Sequence, residues 1–247
     1  MRKTLLLKLP ALAALATLTA CNLFNTHDAE SSAAGGSGAA VAGAKTPAAL
    51  TFSNEQFYKD GKFDTEAAKD AVIKLMHFYG YPVTGKTRDA LWVSDYGTGK
   101  FTEVGLAAIM IDNNVRDRYM LQHLFLLPHQ MLPEHMHKTP KEGNLPAKME
   151  GWWVHNGATY TVGEGTDNLK DFADVKIPAA YKGTVKARHA VKLSPGEFDK
   201  LGKVFGWHWQ IAGPAGAIIT EVANVHHNGS VCHAVPEINE HFLAPAK

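Results

Sequence analysis

From residue 90 onward, apolar positions come in short bursts, many alternating with polar ones, and clusters of Gly, Pro, Asn and Asp separate them. The runs cover 91–94, 104–111, 119–127, 151–155, 160–162, 189–193, 207–211 and 217–223. Alternation turns one face of a strand toward a core and the other outward. Many short strands at fairly regular spacing predict an all-β sandwich or barrel. Upstream the period changes. Val72, Ile73, Met76 and Tyr79 recur three and four residues apart, which predicts a helix over about 64–79, with Asp64 or Thr65 as its cap. Gly80 and Pro82 supply its stop signal. No internal repeat has a fixed period.

The first fifty residues follow neither pattern. Met1-Arg2-Lys3 is a short basic head, residues 5–20 are mostly apolar without an acid, and Leu18-Thr19-Ala20 places small residues before Cys21. This is the form of a bacterial lipoprotein signal, with residues 1–20 removed and Cys21 lipidated. Lys8, Pro10 and the short length argue against a spanning helix. Residues 21–50, rich in Ala, Gly and Ser, read as a flexible tether, and 51–247 as one domain. The expected location is the bacterial envelope, anchored by lipid, and Asn22 is compatible with outer-membrane sorting.

Cleavage would take Arg2, Lys3 and Lys8 and no acid, moving the formal charge from +1 to −2. No basic patch interleaves with aromatics, which excludes a nucleic-acid partner. Cys232 would be the only thiol left, so no internal disulfide forms and the core alone must hold the domain.

Candidate chemistry starts at His135 and His137, two of 13 histidines. On a strand, positions i and i+2 share a face, so the two imidazoles can converge on a metal; an exposed polar pair has the same pattern. Glu150 opens the next run and can add an oxygen ligand, or stand as a solvated charge at a strand end. In Trp207-His208-Trp209, alternation sends both indoles one way and His208 the other, toward a ligand position or a core hydrogen bond. Three imidazoles and a carboxylate leave open positions on a divalent ion and suit Mn²⁺, Fe²⁺, Zn²⁺, Co²⁺ or Ni²⁺.

His-x-His, then Glu150 with Gly157 seven residues on, then a Pro195-Gly196 turn and His208, resembles the two motifs of the cupin superfamily. Twelve residues separate His137 from Glu150, a longer interval than many cupins have. That insertion, with DYGTGKFTEVGL (95–106), LFLLPHQMLPEHMH (124–137), HAVKLSPGE (189–197), HWQIAGPAGAIITEV (208–222) and VPEI (235–238), resembles the D-lyxose ketol-isomerase family over roughly residues 90–240.

The resemblance implies a cupin barrel, a double-stranded β-helix of the jelly-roll kind, with an N-terminal helical extension. It also implies a metal-dependent aldose–ketose isomerase for a sugar such as D-lyxose/D-xylulose or D-mannose/D-fructose, working through an enediolate, with Mn²⁺ the first expectation. His135, His137, Glu150 and His208 match the family's metal ligands. Glu221 matches an interior acid that suits the base moving a proton between C1 and C2. Lys148 matches a lysine that polarises or protonates an oxygen or orients the sugar; a surface lysine in a flexible insertion is its other reading. His189 matches a substrate-binding histidine. Trp152 is either a wall for the sugar's apolar face or a core aromatic.

His226 and His227 read as solvated loop residues, and His123 and His129 as the ends of the 124–127 run. The family also suggests a homodimer. A sugar-binding cupin without turnover and a dioxygenase-like metal cupin stand as alternatives, because function belongs to the site and not the fold.

Overall fold

The structure, a computed structural model, describes residues 50–244 apart from residue 142. The predicted signal, Cys21 and nearly all of the tether lie outside the described residues. A small hairpin comes first, β1 (Tyr58–Lys59) and β2 (Lys62–Phe63). Then come α1 (Thr65–Phe78), α2 (Thr87–Ala90), β3 (Trp92–Ser94), β4 (Leu106–Asn114) and β5 (Tyr119–Leu126). They are followed by β6 (Met131–His137), β7 (Glu150–Gly163), β8 (His189–Leu193) and β9 (Phe198–Lys200). Last are β10 (His208–Ala223), β11 (Val231–His233) and α3 (Pro236–Leu243).

The chain is mostly β, as expected, with a helix before the strands of the large sheet. Antiparallel strands run β11-β6-β10-β5-β4-β3, and β7 pairs β10, β8 and β9, so the sheet curls into a half-barrel. Helix α1 begins at Asp64, whose side chain accepts from the Glu66 and Ala67 amides and satisfies two of the free N-terminal donors.

Alternation assigns each side chain to one of two cores. Leu106, Ala108, Leu124, Leu126, Trp152, Val154 and Ile219 point into the barrel. Their neighbours Ala107, Phe125 and Ile218 point outward, against Val72, Leu75 and Met76 of α1. Burying each of these large side chains is worth about 1.5–3 kcal/mol, which is why α1 stays on the sheet.

Two expected pairs of strands are single long ones. The 151–155 and 160–162 runs join in β7, and the 207–211 and 217–223 runs join in β10. The glycines between them bend the strands without ending them. Gly157 (φ +71°) and Gly216 (φ +76°) face each other where the β7–β10 register shifts, and a Cβ on Gly157 would lie 2.0 Å from the Gly216 carbonyl oxygen. Only glycine allows that approach. Tyr79, from the α1 end, donates its hydroxyl to the Ala215 carbonyl at 3.0 Å and braces the bend. Through it, β10 delivers His208 from one half and Glu221 from the other.

Candidate metal centre

His135 and His137 leave β6 on one face, and β10 and β11 put His208 and His233 directly across from His135. Glu150 enters at the start of β7. One ligand atom from each of His135, His137, Glu150 and His208 lies within 4.8 Å of all the others, and all four residues are buried. His137 Nε2 and His208 Nε2 lie 2.9 and 2.8 Å from the same Glu150 oxygen, Oε1.

Three features of this cluster fit a cation. His135 Nδ1 donates to the Pro133 carbonyl at 2.8 Å and His208 Nδ1 to the Gly206 carbonyl at 2.9 Å, which leaves each Nε2 with a bare lone pair. Backbone carbonyls commonly orient metal-bound imidazoles in this way. Second, His208 Nε2 is buried without a hydrogen-bond partner among the described residues although a carboxylate oxygen is 2.8 Å away. The two atoms are close without being aligned as donor and acceptor. Third, burial keeps His135 and His137 in the ligating, neutral form: it pushes His135 well below the ordinary histidine value and His137 down to about 4. These four residues can hold a divalent ion with positions left open.

Lys148 sits beside the cluster, and it is buried, not on a surface. Its Nζ lies 2.5 Å from Glu150 Oε2 and 2.5 Å from Glu221 Oε1. Asn224, just past β10, fixes that segment by accepting from the Met149 amide at 3.1 Å and donating to the Ala147 carbonyl at 3.0 Å. Burial alone would lower the Lys148 pKa, but the two carboxylates raise it, so it stays an ammonium. Burial would raise Glu150; instead His137 and Lys148 hold it well below the carboxylate range. With His137 neutral, Lys148 is the charge that does so at neutral pH. Burial lifts Glu221 to about 7, with Lys148 opposing and Glu150 reinforcing the rise. Two carboxylates against one ammonium leave the centre short of positive charge, which a cation would supply.

Glu221 lies in a row with Met110 and Gln122 on neighbouring strands. These side chains, with Lys148, His135 and His137, line one cavity of about 560 Å³. His189 and Trp152 are elsewhere. Both line a second cavity of about 600 Å³, which reaches His208 from the other side. There His189 Nδ1 donates to the Thr166 carbonyl, and the Trp152 ring lies 5.7 Å from the His208 ring.

His226 departs from its expected place. It lines the first cavity, bonds Asn228 Oδ1 at 2.7 Å, and burial takes it down to about 4. His233 and Tyr96 were not singled out by sequence, yet both line that cavity. The signal for His233 was its alternation with Val231 in a two-residue step, too short to distinguish from chance. Tyr96 occupies a left-handed turn (φ 52°) within Tyr96-Gly97, which composition does not reveal.

No family model matches the chain. The D-lyxose ketol-isomerase of Cohnella laeviribosi is 30% identical over 157 residues, covering 64% of this chain and 82% of that protein. Its namesake from Thermofilum sp. is 29% identical over 157 residues, 64% of this chain and 83% of the relative. Among solved structures, the L-ribose isomerase of Cellulomonas parahominis superposes with a TM-score of 0.51 at 15% identity, over 72% of this chain and 94% of that one. The L-ribose isomerase of Acinetobacter sp. DL28 gives 0.51 at 14% identity, over 72% and 94%. At such identities the structures share the cupin fold and nothing finer. The sequence identity spans four fifths of the relatives, and this chain belongs to the D-lyxose ketol-isomerase family.

Proposed function

We propose that the protein interconverts an aldose and a ketose, with His135, His137, Glu150 and His208 holding a divalent ion and Glu221 moving the proton. The observation that carries this is the buried chain Glu221–Lys148–Glu150, which joins a carboxyl lifted to about 7 to the candidate ligand set. A base poised near the working pH is suited to taking a carbon-bound proton and giving it back. A pure binding site has no use for it.

The isomerisation is redox-neutral. The Glu221 carboxylate takes the proton from C2 of the open-chain aldose, breaking that C–H bond, and returns it to C1. A second proton passes from O2 to O1. Lys148, an ammonium between two carboxylates, donates a hydrogen bond to one of those oxygens and fixes the sugar's orientation. Gln122, across from Glu221 on β5, lines the same floor and offers an amide to a hydroxyl. A bound divalent ion supplies positive charge that stabilises negative charge on neighbouring sugar oxygens.

D-lyxose/D-xylulose is the first proposed pair, supported by the relatives' name, and D-mannose/D-fructose and Mn²⁺ are proposed on the family likeness. Lipidation at Cys21, and with it envelope anchorage, rests on the pattern of residues 1–21. A homodimer is proposed on the family likeness alone. The protein, stripped of metal and reloaded with Mn²⁺ without oxygen, is mixed with D-lyxose, D-mannose or D-xylulose and followed by NMR. Metal-dependent formation of the partner sugar is the expected result. No product from any of the three, with one ion bound per chain, would overturn this reading.

A further inference from the structure

The Glu221 cavity is larger and more aromatic than a single small sugar requires. A pentose has ten non-hydrogen atoms, each taking less room than the roughly 30 Å³ of a liquid water molecule. It therefore fills only about half of the 560 Å³. That volume lies within the range of about 300–1,000 Å³ typical of drug-sized ligands.

The lining changes character along its length. At the inner end are His135, His137, Lys148 and Glu221. Next comes His233, 5.4 Å from His135 ring to ring, with both ring nitrogens buried and unpartnered among the described residues. A histidine so placed has a donor and an acceptor free for a ligand hydroxyl.

Beyond His233 the wall is aromatic. Tyr96 and Phe242 lie 5.3 and 5.1 Å from it and stack on each other at 6.2 Å. Trp92 closes the sequence at the mouth, 6.3 Å from Tyr96 and 6.5 Å from Phe242, meeting them at 76° and 86°, and it stays 45% exposed. Phe242 belongs to α3, which packs closely on the 95–99 turn: a Cβ on Gly97 would lie 2.8 Å from the His241 ring. The wall is thus a fixed part of the fold.

Charge narrows the ligand. Among the described residues no arginine lines this cavity, and its one lysine, Lys148, is held between two carboxylates. Among the described residues no arginine or unpaired lysine stands along the wall to answer a phosphate or a uronate, whereas flat rings suit the apolar faces of neutral sugar rings.

Resting on the isomerase reading above, we infer that the site takes a neutral reducing disaccharide. Its reducing residue sits at the metal centre with C1 and C2 free, and its second ring lies along Tyr96, Phe242 and Trp92. Contacts to that remote ring can be used to lower the barrier at the reacting carbons, so the isolated monosaccharide should be the poorer substrate. His233 hydrogen-bonds a hydroxyl near the link between the rings.

The test compares kcat/KM for 4-O-β-mannosyl-mannose, cellobiose and lactose with that for D-mannose, D-glucose and D-lyxose, using the metal-loaded full chain and its Trp92→Ala and Trp92→Phe variants. Calorimetric titration of the same sugars into the same proteins gives a second readout. The expected result is at least one disaccharide favoured tenfold or more over the best monosaccharide. That ratio should fall at least tenfold in Trp92→Ala and largely return in Trp92→Phe. Monosaccharides turned over as well as any disaccharide would overturn the inference and leave the isomerase standing. If no sugar turns over, the isomerase reading fails, and titration decides the subsite alone. Disaccharide binding tenfold tighter than monosaccharide, and lost in Trp92→Ala, sustains it; equal binding overturns it.

Discussion

The sheet carries a histidine cluster on each face, and only one of them is built to hold an ion. Thr220 and Glu221 are consecutive on β10, so they point to opposite sides. On Thr220's side, its hydroxyl lies 2.5 Å from His155 Nε2 and 3.2 Å from His123 Nδ1, with the two rings 5.5 Å apart. That outer pair is half-buried, packs against Tyr81 and Trp153, and has no carboxylate in its hydrogen-bonding set. On Glu221's side, three buried imidazoles cluster with one carboxylate, two of them lie against the same carboxylate oxygen, two are oriented by backbone carbonyls, and a lysine ties the carboxylate to a second acid. Histidines in proximity are therefore not enough. Burial, a shared oxygen and fixed ring nitrogens distinguish the inner cluster.

Substitutions on the two faces should separate sharply. Glu150→Gln removes the charged oxygen on which His137 and His208 converge. Metal affinity should fall by more than about a hundredfold, beyond the roughly 10–100-fold typical of groups that only support a ligand. Plasma emission analysis after dialysis measures it, and retained stoichiometric metal would show that Glu150 is not a ligand.

Next in size is Leu75→Ala, on the α1 side of the sheet, which should cost about 2–5 kcal/mol of stability through the cavity it opens. Urea unfolding reads the loss, and metal content of the folded protein should not change. A shifted metal content would mean the two cores are not separate.

Glu221 should give the pH–kcat/KM profile an acid limb with its midpoint near 7. Its raised pKa means the proton stays on until that pH. The ionised base is then lost, and rate with it, as pH falls below about 7. A profile flat from pH 5 to 8 would contradict this.

The smallest effect belongs to the outer cluster. His155→Ala removes one hydrogen bond worth about 1 kcal/mol, or roughly 2–4 °C of melting temperature. Its metal stoichiometry and turnover should match the unsubstituted protein; a lost ion would place the metal on the wrong face here.

Much of this was legible in the sequence. Period and capping place α1 from Asp64 onward, and two-residue alternation places His135 with His137 and separates His208 from its flanking tryptophans. What alternation cannot convey is which glycines bend a strand and which end it. Gly157 and Gly216 look like breaks until their backbones are seen in contact.

Lys148 was ambiguous because its burial depends on Asn224, 76 positions away, clamping the segment on either side of it. Trp152 shares β7 with Glu150, and His189 lies on the neighbouring β8, yet both line the second cavity. Phe242 reaches His233, Tyr96 and Trp92 only through α3, whose docking no local pattern encodes.

The central claim is that Glu221 carries the proton while a separate set of residues holds the ion. Glu221→Gln, loaded with Mn²⁺ and incubated with D-lyxose and D-mannose in D₂O, tests both halves at once by NMR and metal analysis. The prediction is full metal content, with ketose formation and deuterium uptake at C2 both reduced about 10²–10⁴-fold. Exchange at C2 that continues at the unsubstituted rate would show that another group moves the proton.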